Sequence, residues 1–206
     1  MDVLKTGLVN IGHENSEAKW YIPWLKLDQL FDSENVKHAI NDSGLEPYKQ
    51  DEAINRILNG GKRVFATLIQ CGNASAIARF LEKDHLQHQA LDAKLPYSRS
   101  DLASIFDNST DAELFYRTQW TVSAPSFRGD MSHRDFEREV ILPFVRSVEF
   151  ASGAFGTVYE TALDPLHQAD VANANLPMVC PTQNLTLSSY EHAGANLIFF
   201  NLQRAM

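Results

Sequence analysis

Charge is spread so unevenly along this chain that a single uniform fold does not fit it. From Ile141 onward 7 of 66 residues are Asp, Glu, Lys or Arg, whereas the first 140 residues carry 37. A charged segment whose apolar residues recur every three to four positions folds as amphipathic helix. A segment poor in charge and rich in β-branched and aromatic runs folds as sheet. The break predicts a mainly helical domain over residues 1–123, a connector over 124–140 and a β-rich unit over 141–206, an α+β chain. Hydrophobic residues make up 44% of the 206, enough core for one generous domain or two small ones.

In the first part, the helices announce themselves by caps and stripes. Asp32-Ser33 can cap a helix through Ile40 with Val36, Ala39 and Ile40 on one face, stopped by Asn41-Asp42-Ser43-Gly44. Asp51 starts a second, with Ala53, Ile54, Ile57 and Leu58 in step until Asn59-Gly60-Gly61. Val64, Phe65, Leu68 and Ile69 form a third stripe, and Asn73 caps a fourth segment carrying Ala76, Ile77, Phe80 and Leu81. Another helix is expected from Ser109-Thr110-Asp111 through Trp120, with Leu114, Phe115 and Thr118 on one side. Helices this short need one another in water. Their apolar faces make a shared core or, alternatively, a groove for a partner helix. Trp20, Tyr21, Ile22, Pro23 and Trp24 read as a staple of the N-terminal segment onto this bundle, or as a partner-binding surface.

Other features carry less chemistry. Asp84 to Asn108 reads as a polar connection; its His85 and His88 lack the further ligands of a metal site. Cys71 and Cys180 have no metal or disulfide spacing and fit a reducing compartment. The chain shows no signal-peptide core and no membrane-length apolar run, so the expected location is intracellular, cytoplasmic or nuclear. On that footing the sequons at Asn41, Asn73, Asn108 and Asn184 are chance matches. A net charge of −8 argues against nucleic acid or an anionic membrane as partner.

In the second part, Ser147 to Phe150 and Thr157 to Leu163 read as paired strands, Ala169 to Ser189 as a loop, and Asn196 to Leu202 as a third strand. Between the first two strands lies Ser152-Gly153-Ala154-Phe155-Gly156-Thr157-Val158-Tyr159-Glu160. Gly153, Gly156 and Val158 hold the last two glycines and the valine of G-x-G-x-x-G-x-V, with Ala151 at the first glycine position. Glycines there let a backbone approach phosphates without a Cβ in the way, an aromatic such as Phe155 caps the turn, and the valine packs on an adenine. The same residues also make an ordinary hairpin turn.

The flanks extend the pattern. Ile141-Leu142-Pro143-Phe144 leads into the hairpin, Leu163-Asp164-Pro165-Leu166-His167 leaves it, and Gln119-Trp120-Thr121-Val122-Ser123-Ala124-Pro125-Ser126-Phe127 stands upstream. Together these resemble the fungal protein-kinase-like family, most specifically over residues 111–168. The resemblance implies the partial antiparallel β N-lobe of a protein kinase, with ATP at Gly153, Phe155, Gly156 and Val158, and Ser/Thr protein phosphorylation as the family activity.

Measured against that chemistry, charges are missing. The last lysine is Lys94, so none holds the α/β-phosphates; no Asp-Phe-Gly follows to carry Mg²⁺, and no catalytic-loop Asp and Asn. The arginines after Lys94 are no conservative replacement for that lysine. His133-Arg134-Asp135 lies before the glycine run, out of order for a catalytic loop; Ser132 to Val140 reads as a solvated helix or turn. Only 54 residues run from Gly153 to the C-terminus. The expectation is the N-terminal part of a longer kinase-like protein, inactive by itself, with weak ATP binding, no Mg²⁺ and no catalytic residue. A three-stranded sheet of this kind would expose Phe199 and Phe200 unless the helical region or a protein partner covers its edge. The competing expectations are a noncatalytic helical interaction or regulatory module, and a pseudokinase fragment that binds a full kinase through its sheet.

Overall fold

A computed structural model of the protein describes residues 2–83, 90–128, 136–153, 156–169, 178–182 and 198–199. The chain is α+β, mainly helical with a small and largely antiparallel sheet component. It divides into two units: residues 1–13 with 21–123, and residues 14–20 with 124–206. A short loop near the N-terminus therefore belongs with the sheet rather than with the helices around it.

Along the first part run α1 (Asp2–Ile11), the paired strands β1 (His13–Glu14) and β2 (Trp20–Tyr21), α2 (Trp24–Leu30), α3 (Ser33–Asp42), α4 (Pro47–Leu58), α5 (Lys62–Gln70), α6 (Ile77–Lys83), α7 (Arg99–Ile105) and α8 (Ser109–Thr118). Of these, α5 is the axis. Six consecutive residues, Val64 to Ile69, are buried, the all-round burial of a helix enclosed by others. Neighbours α1, α2, α4, α6 and α8 pack on it. Their inward residues include Leu4 and Leu8, Leu27, Ala53 and Ile57, Ile77 and Phe80, and Phe115. Phe80 and Phe115 centre an aromatic group, 5.1 Å apart, with Tyr97 and Phe106 within 6.1 Å of one or both. Each such side chain contributes about 1.5–3 kcal/mol on burial.

Helix ends in this unit are satisfied both locally and at a distance. Asp32 accepts from the Asn35 amide (2.7 Å) and Asn108 from the Asp111 amide (2.8 Å). Ser98 and Asp101 close a reciprocal capping box on α7. The first turn of α5 follows Gly61, which has no side chain to offer. Asp92 takes that place from the 3-10 turn Leu91–Lys94: its Oδ1 accepts from Val64 N–H (2.9 Å) and its Oδ2 from Arg63 N–H (3.1 Å). Its own amide donates to Gly60 O (2.8 Å). Gly60 stands at φ +113, and a Cβ there would lie 2.5 Å from Ala90 Cβ, so both conformation and contact call for glycine. Burial pushes the Asp92 carboxyl above its ordinary value, against the two amides and Arg63, which pull it down.

Several sequence expectations are corrected here. The second helix begins at Pro47 rather than Asp51, because proline is at home in the first turn. Asn73 does not cap the following segment; its side-chain Nδ2 donates to Asp111 Oδ2 (3.0 Å). Residues 90–108 are no mere polar connection, since they hold the 3-10 turn and α7, while 84–89, with His85 and His88, lie outside the described residues. On α8 the buried face is Ala112 and Phe115, and Leu114 points outward. The α-helix ends at Thr118 and tightens to 3-10 over Gln119–Val122. Of the aromatic staple, Tyr21 and Ile22 are buried, whereas Trp24 is exposed under the Arg63 guanidinium (5.6 Å).

The second unit contains β3 (Phe127–Arg128), β4 (Phe144–Gly153), β5 (Gly156–Leu163), β6 (Gln168–Ala169), β7 (Met178–Thr182) and β8 (Ile198–Phe199). The main sheet has the order β4-β5-β7-β8, with β7 antiparallel to β5 and β8 parallel to β7; β3 and β6 form a separate parallel pair. A small core of Phe127, Leu142, Phe144 and Leu163 is flanked by Phe136 and Val140. The segment 124–140 thus contributes to this unit's interior. Glu137, Arg138 and Glu139 are exposed, on the turn expected there. Two expectations fail: the stretch read as loop contains β7, and among the described residues the sheet has four strands rather than three. Pro181 and the run of polar residues around it hid the strand. Of the anticipated strand Asn196 to Leu202, only Ile198–Phe199 is described.

Candidate functional site

The glycine run forms the end of the β4–β5 hairpin. Gly153 pairs with Gly156 as the last step of the ladder, after Ser152 with Thr157 and Ala151 with Val158. Val158 has Pro181 of β7 on its other side. Phe155, with Ala154, lies outside the described residues. The register shifts between Phe144 and Arg146 and again between Glu149 and Ala151, irregularities that bend and twist a strand. Of the predicted site residues, then, Gly153, Gly156 and Val158 come together along one hairpin end.

A nucleotide site requires cations as well as amides, and these strands do not supply them. Arg146 is paired opposite Ala162, seven residues and roughly 23 Å of extended chain before Gly153. The strand next to β5 is Met178-Val179-Cys180-Pro181-Thr182, with no basic residue. A phosphate at the hairpin end would meet main-chain groups and glycine, without a point charge from β4, β5 or β7. Among the described residues of β4, β5 and β7, no cation stands at the hairpin end.

Most of the flanking motif residues hold the hairpin in place. In Ile141-Leu142-Pro143-Phe144 three successive carbonyls are engaged. Leu142 O accepts from Asn15 Nδ2 and from Phe144 N–H (both 2.9 Å), Pro143 O from Asp164 N–H (2.9 Å) and Phe144 O from Ser16 N–H (2.7 Å). Asp164, itself buried, accepts the Leu166 amide on Oδ1 (2.9 Å) and the His167 amide on its carbonyl (2.9 Å). The His167 ring is buried, with Nδ1 3.0 Å from Pro125 O, so the chain leaving β5 is tied to the chain entering the unit. In the helical unit Gln119 is fully buried and grips Tyr97 at both main-chain groups: Oε1 accepts its N–H (2.8 Å) and Nε2 donates to its C=O (3.0 Å). Gln119, Asp164 and His167 therefore have structural reasons to be the residues they are.

Neither Asn15 nor Asp92 was marked by sequence reasoning. Asn15 sits in a polar run with no periodicity, and Asp92 inside the supposed connection; no local pattern separates a distant cap from a solvated acid. The His133-Arg134-Asp135 tripeptide lies outside the described residues, and Phe136 beside it packs against the small core. Burial pushes the half-buried Cys71 thiol up, away from the thiolate that nucleophilic chemistry needs. Among the described residues no group of His, Cys, Asp or Glu is placed to hold a metal ion, and no helix is long and apolar enough to cross a membrane. Comparison of the chain with protein-family models, curated proteins and solved structures finds no match.

Proposed function

We propose that the sheet unit is a protein-kinase-like glycine hairpin joined to a helical domain, that it holds ATP weakly through main-chain groups, and that this chain by itself transfers no phosphate to protein. The observation that carries the reading is the register of the hairpin. Gly153 stands opposite Gly156, with Val158 two steps on, while the nearest cation on β4, Arg146, stands at its far half. Backbone contacts to polyphosphate without a cation, in a chain of net charge −8, leave affinity near the millimolar level, about −4 kcal/mol. Loss of single electrostatic contributors costs a catalyst roughly 10²–10³-fold, and lysine, metal ligand and catalytic aspartate are all missing from the sequence after the hairpin.

Calorimetric titration of ATP into the full chain tests the site, with the Gly153→Val/Gly156→Val double variant as control. The expected result is millimolar binding to the wild type that the variant loses. Micromolar binding, or weak binding that the variant retains, overturns the assignment of the hairpin as the phosphate contact. Transfer of radiolabelled phosphate to generic protein substrates should stay at background; turnover that persists through purification to homogeneity overturns the noncatalytic part.

A further inference from the structure

The loop of residues 14–20 is built around one side chain. Asn15 is buried, and its Oδ1 accepts from both Glu17 N–H and Lys19 N–H (2.9 Å each). Its own amide donates to Lys19 O, and its carbonyl accepts from Ala18 N–H (3.0 Å each). Ala18 completes the turn at φ 57, a left-handed conformation that alanine adopts only when its surroundings enforce it. With the loop closed on itself in this way, the remaining polar group of the Asn15 side chain, Nδ2, donates to Leu142 O (2.9 Å), and the next amide, Ser16 N–H, to Phe144 O (2.7 Å). The loop's own hydrogen bonds thus fix its shape without the strand's help, and a segment shaped in this way docks at a lower entropy cost.

Phe144 opens the strand that ends at Gly153 and is one of the residues of the small core. Among the described residues the core of this unit is small, so main-chain hydrogen bonds such as Ser16 N–H to Phe144 O and the second donor that Asn15 adds at Leu142 O, beside Phe144 N–H, weigh more in its stability. We infer that residues 14–20 are a clasp that the sheet unit requires: Leu142 to Phe144 form a docking surface whose occupant is this loop of the same chain, more than a hundred residues upstream, and release of the loop opens the hairpin. The clasp concerns the fold of the hairpin and stands whether or not a nucleotide meets it.

Asn15→Asp isolates the docking step, because a carboxylate keeps the acceptors that close the loop but removes the loop's donor to Leu142 O, leaving that carbonyl with Phe144 N–H, and sets an oxygen against it. Hydrogen exchange on the full chain reads the outcome. Amides of 144–149 and 156–163 should exchange at least about tenfold faster than in the wild type, while those of α5 are unchanged. Unchanged protection in the hairpin overturns the inference, as does equal acceleration in α5, which would mean a general loss of fold. A second chain, with 15–19 replaced by a Gly-Ser linker of equal length, should lose hairpin protection and regain it when a peptide of residues 13–21 is added. Protection without the peptide, or no recovery with it, also overturns the inference.

Discussion

The helical unit and the sheet unit are held together by different physics. Around α5 nearly every neighbouring helix contributes large apolar side chains, and the aromatic group of Phe80, Tyr97, Phe106 and Phe115 fills the space between α6, α7 and α8. Among the described residues of the sheet unit, the apolar cluster is Phe127, Leu142, Phe144 and Leu163 with two half-buried companions, and the conspicuous features are engaged carbonyls and buried polar side chains. Dispersion and water exclusion are tolerant of detail, so the first unit can lose a hydrogen bond and keep its shape. Directional bonds are not tolerant, so the second unit depends on particular residues at particular positions.

The largest expected effect attacks the apolar side of that contrast. Phe115→Ala removes a ring with no solvent exposure from the middle of the aromatic group and should lower the stability of the helical unit by about 3–5 kcal/mol. Urea melts followed by far-ultraviolet circular dichroism, with hydrogen exchange to assign the change to each unit, check it. A loss shared equally by the hairpin amides would break the contrast.

Asp164→Ala attacks the polar side. It leaves the Leu166 amide without its side-chain acceptor and should cost the sheet unit about 0.5–2 kcal/mol, seen as faster exchange at 156–163 with α5 amides unmoved. An effect below detection would mean that the small apolar cluster carries that unit after all.

The smallest effect is a pH dependence. Because burial raises the folded-state value of the Asp92 carboxyl above 3.8, the folded chain binds that proton more tightly than the unfolded chain. The contribution of this group to stability is therefore greatest below 3.8 and declines as pH rises through its folded value. Asp92→Asn removes the titration and keeps one acceptor for the α5 amides. Relative to wild type, the variant should gain stability as pH is raised from about 3 to 6. A relative loss over that range, in melts taken at each pH, would reverse the sign and show that the two amides outweigh burial.

What could be read from the sequence was whatever repeats or caps locally. Val36, Ala39 and Ile40, and Ile77, Phe80 and Leu81, were recoverable because period and burial coincide, and Asp32 because its cap lies three residues from its donor. The glycine pair and the strands beside it were legible for a similar reason: β-branched and aromatic residues flank a short turn. The missed elements lack such signals. Helix α7 spans seven residues with one apolar pair, Leu102 and Ile105, and β7 carries a proline. Both exist because tertiary neighbours pay their ordering cost, which no window of sequence contains. The scaffold around the hairpin was half visible: Asp164, Pro165 and His167 stood out as a pattern, but their partners Pro143 and Pro125 could only be assigned once the chain was folded.

The capping of α5 by Asp92 has a consequence in time as well as in energy. A nine-residue helix is marginal before its neighbours arrive, and the acceptors for two of its leading amides stand 28 and 29 residues later in the chain. During synthesis α5 emerges first and its cap follows, after α6 and the segment beyond it. Completing the most buried helix therefore means closing a loop, with an entropic cost that grows as the logarithm of its length. The element at the spatial centre of the helical unit is one whose ends are finished late, and its correct start is secured by the same 3-10 turn that closes the circuit back to Gly60.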